Sequence, residues 1–156
     1  MNLRSTIIFA SLVIALATVS AAQAQEKKIK RSQLPPAVEK TVAEQSQGAT
    51  IKGFSTEIEK GKRVYEVAMT VDGHSKDILI DSKGNVIEVE EVVAMDSLSQ
   101  PVKDALTKAA GTGTINIIES LTKNGALVAY EGHVKRGLKR FEIQVGPNGE
   151  KLAHPE

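Results

Sequence analysis

Apolar residues recur along this chain with two different periods, and the switch between them happens twice. Leu34, Val38, Thr41 and Val42 fall on one stripe at helical spacing, as do Leu98, Val102, Ala105, Leu106 and Ala109. Pro36 and Pro101 sit at the start of these segments, where a first helical turn has no use for the missing N–H. Gly48 and Gly111 follow them as glycine stops. Each segment predicts a helix of about three turns. Past each one the period becomes two. Ile51 to Ile58 reads as a strand interrupted by Gly53, and Lys60-Gly61-Lys62 as a turn. In Val64 to Val71 the residues Tyr65, Val67, Met69 and Val71 share a face. Asp72-Gly73 is a hairpin signal, since both positions accept positive φ. Lys76 to Asp81 forms the return strand, Ser82 to Asn85 turns again, and Val86 to Glu91 is a fourth strand.

The second half repeats this order. The helical segments are offset by 64 positions, and Tyr130 matches Tyr65 at 65, one residue having been inserted near Asn124. Ile115, Ile117, Glu119 and Leu121 alternate with Asn116, Ile118 and Ser120, which leaves the facing of that strand open. Asn124-Gly125 turns the chain, Leu127 to Val134 and Phe141 to Val145 are strands around the Arg136-Gly137 turn, and Leu152 begins a short last strand. Strands joined by tight turns are antiparallel, and each helical stripe needs a sheet face to cover it. The expected fold is α+β: two tandem repeats, 32–94 and 95–156, each a short helix on an antiparallel meander of about four strands.

The first 24 residues follow a different logic. Arg4 precedes an apolar stretch from Ile7 to Val19, and Ala22-Gln23-Ala24 forms an A-x-A site that predicts cleavage before Gln25. The stretch is shorter than the roughly 20 residues that span a bilayer. It reads as an export signal, which places the mature chain in the periplasm or outside the cell with no integral membrane span. Residues 25–31, with Lys27, Lys28, Lys30 and Arg31, read as a flexible basic arm with affinity for anionic lipid. Without Arg4 the remaining chain has 19 basic and 19 acidic residues, a balance unlike that of a nucleic-acid binder. The chain contains no cysteine, which excludes disulfides, thiol chemistry and thiolate metal sites. Aromatic residues are 3% of the sequence, so the core must be aliphatic.

Tyr65-Glu66-Val67, the Asp72-Gly73 turn, Ile78 to Asp81 and Lys83-Gly84-Asn85-Val86 resemble the PepSY domain pattern. The leading Leu34-Pro35-Pro36-Ala37-Val38 helix and the tandem arrangement resemble the periplasmic PepSY-like proteins, whose fold is similar to that of the β-lactamase inhibitor protein. The second half departs from the pattern, with Gly132 in the place of Val67 and Gly146 in the place of Asp81. PepSY units restrain peptidases, and the resemblance brings no catalytic residues, so the expected function is that of an exported, noncatalytic binding module of the cell envelope that restrains a peptidase or another envelope protein.

The residues themselves organise little chemistry. His74 near Asp77 makes an imidazole–carboxylate pair, but no second histidine lies at ligand spacing, so neither a metal site nor a cofactor is expected. His133 faces solvent or a strand partner, and His154 lies in the tail. Lys83 spoils a calcium loop at 81–85, and Gly111 to Thr114 follows a helix rather than opening one, unlike a phosphate loop. There is no G-x-S-x-G elbow, and Glu88, Glu90 and Glu91 read as the wet side of a strand. Residues 25–96 carry a net −2 and residues 97–156 a net +2, with Lys135, Arg136, Lys139 and Arg140 clustered on one hairpin that could meet an acidic partner. The expected contacts with a protein partner are therefore the tips Asp72-Gly73-His74 and Arg136-Gly137, with Tyr65 and Tyr130 if they stand on an open sheet face. Both tyrosines fit equally well in a core. The rival readings are a small-ligand or metal-ion binder, centred on His74, and an enzyme.

Overall fold

The computed structural model describes residues 26–156, so the export signal and its cleavage site at Ala22, Ala24 and Gln25 lie outside the described residues. The strands are β1 (Lys27–Ile29), β2 (Thr50–Glu59), β3 (Lys62–Val71), β4 (His74–Asp81), β5 (Val86–Val92), β6 (Thr114–Lys123), β7 (Ala126–Arg136) and β8 (Lys139–Val145). The helices are α1 (Pro36–Gln45) and α2 (Gln100–Ala110). All eight strands lie in one antiparallel sheet in chain order. Tight turns explain most of this. Lys60-Gly61, Asp72-Gly73 and Asn124-Gly125 each place two residues at positive φ, the geometry whose twist matches paired strands.

The expected division into two helix-on-meander repeats is overturned. β5 pairs with β6 through Glu88↔Lys123 to Val92↔Glu119, so the halves share one undivided sheet. The physical reason is that β5, the last strand of the first half, and β6, the first strand of the second, would otherwise each leave an open edge, and pairing them satisfies both rows of backbone groups. The second half contributes three strands, not four: residues after Val145 form no strand, and Leu152 lies in that tail. At the other edge, Lys27–Ile29 of the expected flexible arm pairs with Phe54–Thr56 as β1.

Both helices pack on the same face of the sheet, over separate apolar clusters. Val38 and Val42 of α1 meet Val67, Met69, Ile78 and Ile80. Val102 and Leu106 of α2 meet Ile118 and Val145. A bulge between Ile51 and Gly53 lets both Ile51 and Phe54 reach the first cluster, although their spacing of three would put them on opposite faces. A bulge between Ile115 and Ile117 does the same for Ile115 and Ile118 in the second. That bulge explains why β6 shows no single facing in the sequence.

The turn after β4 holds α1 in place. Asp81 accepts hydrogen bonds from the backbone N–H groups of Lys83 (2.8 Å) and Asn85 (2.9 Å) and from the Asn85 amide (2.9 Å). Those bonds hold its carboxyl below the usual aspartate range. Gly84, at φ +89°, then lies so close to α1 that a Cβ there would stand 2.7 Å from the Ala37 carbonyl oxygen. Thr41 Oγ1 donates to the Gly84 carbonyl at 2.6 Å. After β8 the aspartate is replaced by Gly146, and the Glu150 side chain fills the space beside it, accepting from the Asn148 N–H at 2.8 Å. The aspartate is thus a turn clamp, and the second turn replaces it with a carboxylate from four residues on.

Candidate functional site

With both helices on one face, the opposite face of the sheet carries no helix among the described residues, and only the C-terminal tail crosses part of it, with the Glu156 N–H donating to Gln144 Oε1 at 2.8 Å. Strand alternation and register set its composition. Glu66 on β3 faces Ser55 and Leu79, Asp77 on β4 pairs with Glu90 on β5, and Glu88 pairs with Lys123. Glu90 continues to Leu121 and Ala129, and Glu119 on β6 pairs with Glu131 on β7, which pairs with Gln144 on β8. His133 lies between Ile117 and Glu142 one row further along. Leu121 and Ala129, both fully covered, form a small apolar floor among these carboxylates. A groove of about 450 Å³ runs over part of the face, lined by Glu57, Glu66, Asp77, Leu79, Glu88 and Glu90.

This crowding changes the acidity of the groups. Burial pushes the Glu90 carboxyl up to about 7, and the charges of Glu88, Glu119 and Glu131 add to that shift. Burial also raises Asp77, helped by Glu119, and its Oδ1 is covered without a hydrogen-bond partner. Glu66 rises for the same first reason, opposed by the hydrogen bond it accepts from Ser55 Oγ at 3.0 Å. Carboxylates outnumber cations on this face: Lys60 and Lys123 line the groove, and Lys28 and Lys52 lie beside Glu66. Lys123 stands 3.6 Å from Glu88, and His133 Nε2 lies 2.8 Å from Glu119 and 3.4 Å from Glu131. The expectation that Glu88 and Glu90 sit on a solvated side is corrected: they do share a face, but both are half-buried among other carboxylates.

The contacts expected from the sequence are scattered. Tyr65 packs against the α1 cluster and Tyr130 against the α2 cluster, so neither stands on the open face. Asp72, Gly73 and His74 are exposed at the β3–β4 tip. His74 pairs with Val71 and Asp77 with Ala68, which puts them on opposite faces of β4 and dissolves the supposed imidazole–carboxylate pair. Gly137 is exposed at the β7–β8 tip, but Arg136 is engaged within the fold. Its Nη2 donates to the Ala110 carbonyl at 2.9 Å, and its guanidinium lies 4.9 Å from the centre of the Phe141 ring. It caps the C-terminal end of α2, where a cation is favoured.

Sequence reasoning missed the open face. Alternation does place Glu88 with Glu90 and Glu131 with His133, and the Asn124-Gly125 turn joins β6 to β7, but nothing in the sequence brings β5 beside β6.

This helix-backed antiparallel sheet is similar in fold to solved BLIP-like and DUF2874 family proteins. Over 74% of this chain and 81% of the other, it superposes on a BLIP-like protein from Bacteroides fragilis with a TM-score of 0.56 at 21% identity. A DUF2874 family protein from Bacteroides ovatus matches with a TM-score of 0.59 at 15% identity, covering 76% of this chain and 84% of that one. A chain from Bacteroides eggerthii, provisionally described as periplasmic, matches with a TM-score of 0.61 at 13% identity over 74% and 84%. At these identities the likeness is one of fold. No protein-family model matches the chain, and no curated protein does. The resemblance to PepSY domains therefore stands on the short motifs that carry it. No helix among the described residues is long and apolar enough to cross a membrane.

Proposed function

We propose that this chain is an exported, periplasmic, noncatalytic binding protein whose helix-free sheet face docks a basic segment of an envelope protein. One observation carries the reading: the carboxylates of Glu66, Asp77, Glu88, Glu90, Glu119 and Glu131 share a helix-free face on which they outnumber the lysines, crowded enough to raise the Glu90 carboxyl to about 7. An incoming lysine or arginine lowers the cost of ionising these groups and gives the buried Asp77 Oδ1 a donor. Export is supported by the A-x-A signal and by the fold it shares with a chain provisionally described as periplasmic. Restraint of a peptidase is the finer form of the proposal. It is supported by the PepSY resemblance and by the likeness to a protein described as BLIP-like.

Binding of fluorescent oligolysine, in buffer containing a chelator, tests the surface. Affinity should fall steeply with salt and drop about ten-fold or more when Glu90 and Glu131 are both replaced by lysine. Equal binding of oligolysine and oligoglutamate would refute the docking face. Inhibition assays against secreted peptidases with basic surfaces decide the finer claim separately.

A further inference from the structure

We propose that His133, Glu119 and Glu131 form a site for one divalent transition-metal ion of the zinc class. Glu131 and His133 are two apart on β7 and so share a face, and the register sets Glu119 of β6 opposite Glu131. His133 Nε2 lies 2.8 Å from Glu119 Oε2 and 3.4 Å from Glu131 Oε1, and the three donor atoms fall within 4.8 Å of one another. Ligands about 2.0–2.2 Å from a tetrahedral zinc stand roughly 3.3 Å apart, a spacing that the two histidine–carboxylate distances bracket.

The donor chemistry selects the ion. One imidazole nitrogen with two carboxylate oxygens suits zinc and its neighbours, whereas calcium takes an all-oxygen shell. The charge balance points the same way. The side chains of Glu119 and Glu131 are only 16% and 14% exposed, and the ion pairs found among the described residues join them to His133 alone, with no lysine or arginine. Two covered carboxylates facing one imidazole keep a net negative charge even when the ring is protonated, and a divalent ion neutralises it.

The surroundings favour the same assignment. Gln144 Nε2 donates to Glu131 Oε2 at 2.6 Å, leaving Oε1 turned toward the site. Glu142 Oε1 stands 3.7 Å from His133 Nδ1, behind the ring, where a small movement makes the carboxylate–histidine contact that orients a metal-binding imidazole. Three protein ligands leave a fourth position for water or a donor from a partner. This site stands whether or not a basic segment docks on the face.

Cobalt(II) is a visible probe for such a site. Titration of the purified chain at neutral pH should give ligand-field absorption that saturates at one Co²⁺ per chain and disappears when Zn²⁺ is added. His133→Ala and Glu131→Gln should each weaken Co²⁺ binding about ten-fold or more at unchanged circular dichroism, while His74→Ala binds as the unaltered chain does. If His133→Ala fails to fold, Glu131→Gln, which keeps the side chain's volume, decides alone. Absence of Co²⁺ and Zn²⁺ binding, unchanged affinity in a folded His133 or Glu131 variant, or loss in His74→Ala would overturn the assignment.

Discussion

Glu90 illustrates how a single side chain records its surroundings. Burial among Glu88, Glu119 and Glu131 raises its carboxyl to about 7, against an ordinary value of 4.5. Between those values the folded chain keeps a proton that the unfolded chain has released, so stability falls as pH rises through that window. His133 adds to the trend: its raised value gives stability that is present in acid and lost as the ring deprotonates. Asp81 runs the other way, because its lowered value gives stability that is lost as acid protonates it. With chelator present, the melting temperature should therefore drop from about pH 5 to about pH 8. Glu90→Gln, which cannot ionise, should flatten much of that drop and melt higher than the unaltered chain at the alkaline end. A parallel pH profile in the variant would show that Glu90 ionises freely. The residue types were all visible in the sequence, but the crowding was not, since Glu90 meets Glu119 and Glu131 only through pairing between distant strands.

At the level of elements, the turn after β4 shows how a helix with a narrow apolar stripe is fixed on its sheet. Gly84 and Gly61 both have positive φ, but only at Gly84 would an added Cβ strike the backbone of α1. Replacement by alanine should cost about 1–2 kcal/mol at Gly61, the penalty of the left-handed conformation alone. At Gly84 it should cost about 1–3 kcal/mol more, because α1 must shift or the turn must distort. Urea denaturation of the two variants measures the difference, and equal losses would mean that the close approach to α1 carries no energy. Both helices and most turns were legible from local pattern, since Pro36, Pro101, Asp72-Gly73 and Asn124-Gly125 act through their own backbone preferences. The bulges at Ile51/Gly53 and Ile115/Ile117 were not, because each is a shift of register against the partner strand, β3 or β7, which the residue pattern along one strand does not show.

Across the whole molecule, the seam between β5 and β6 turns two clusters under two helices into one sheet. A fragment of residues 26–94 would retain α1 and β1–β5 but expose the full edge of β5, with Val89 and its neighbours unpaired. Unpaired edges of that kind recruit other strands. The fragment should therefore run as a dimer or larger species in size-exclusion chromatography with light scattering, whereas the full chain's β5 edge is already satisfied. A folded, monomeric fragment would show that the first half needs no strand from the second.

By itself the sequence determined the local devices: where helices start and stop, which hairpins turn tightly, which strands alternate, and that any core is aliphatic and free of disulfides. These depend on backbone preferences and side-chain period, which act over a few residues. Only the tertiary structure decided that the halves join edge to edge, that Tyr65 and Tyr130 lie under the helices, and that the helix-free face gathers carboxylates around His133. Where a tight turn joins two strands the partner is written locally, but β5 and β6 are separated by α2, and their pairing rests on backbone hydrogen bonds that are the same for every residue.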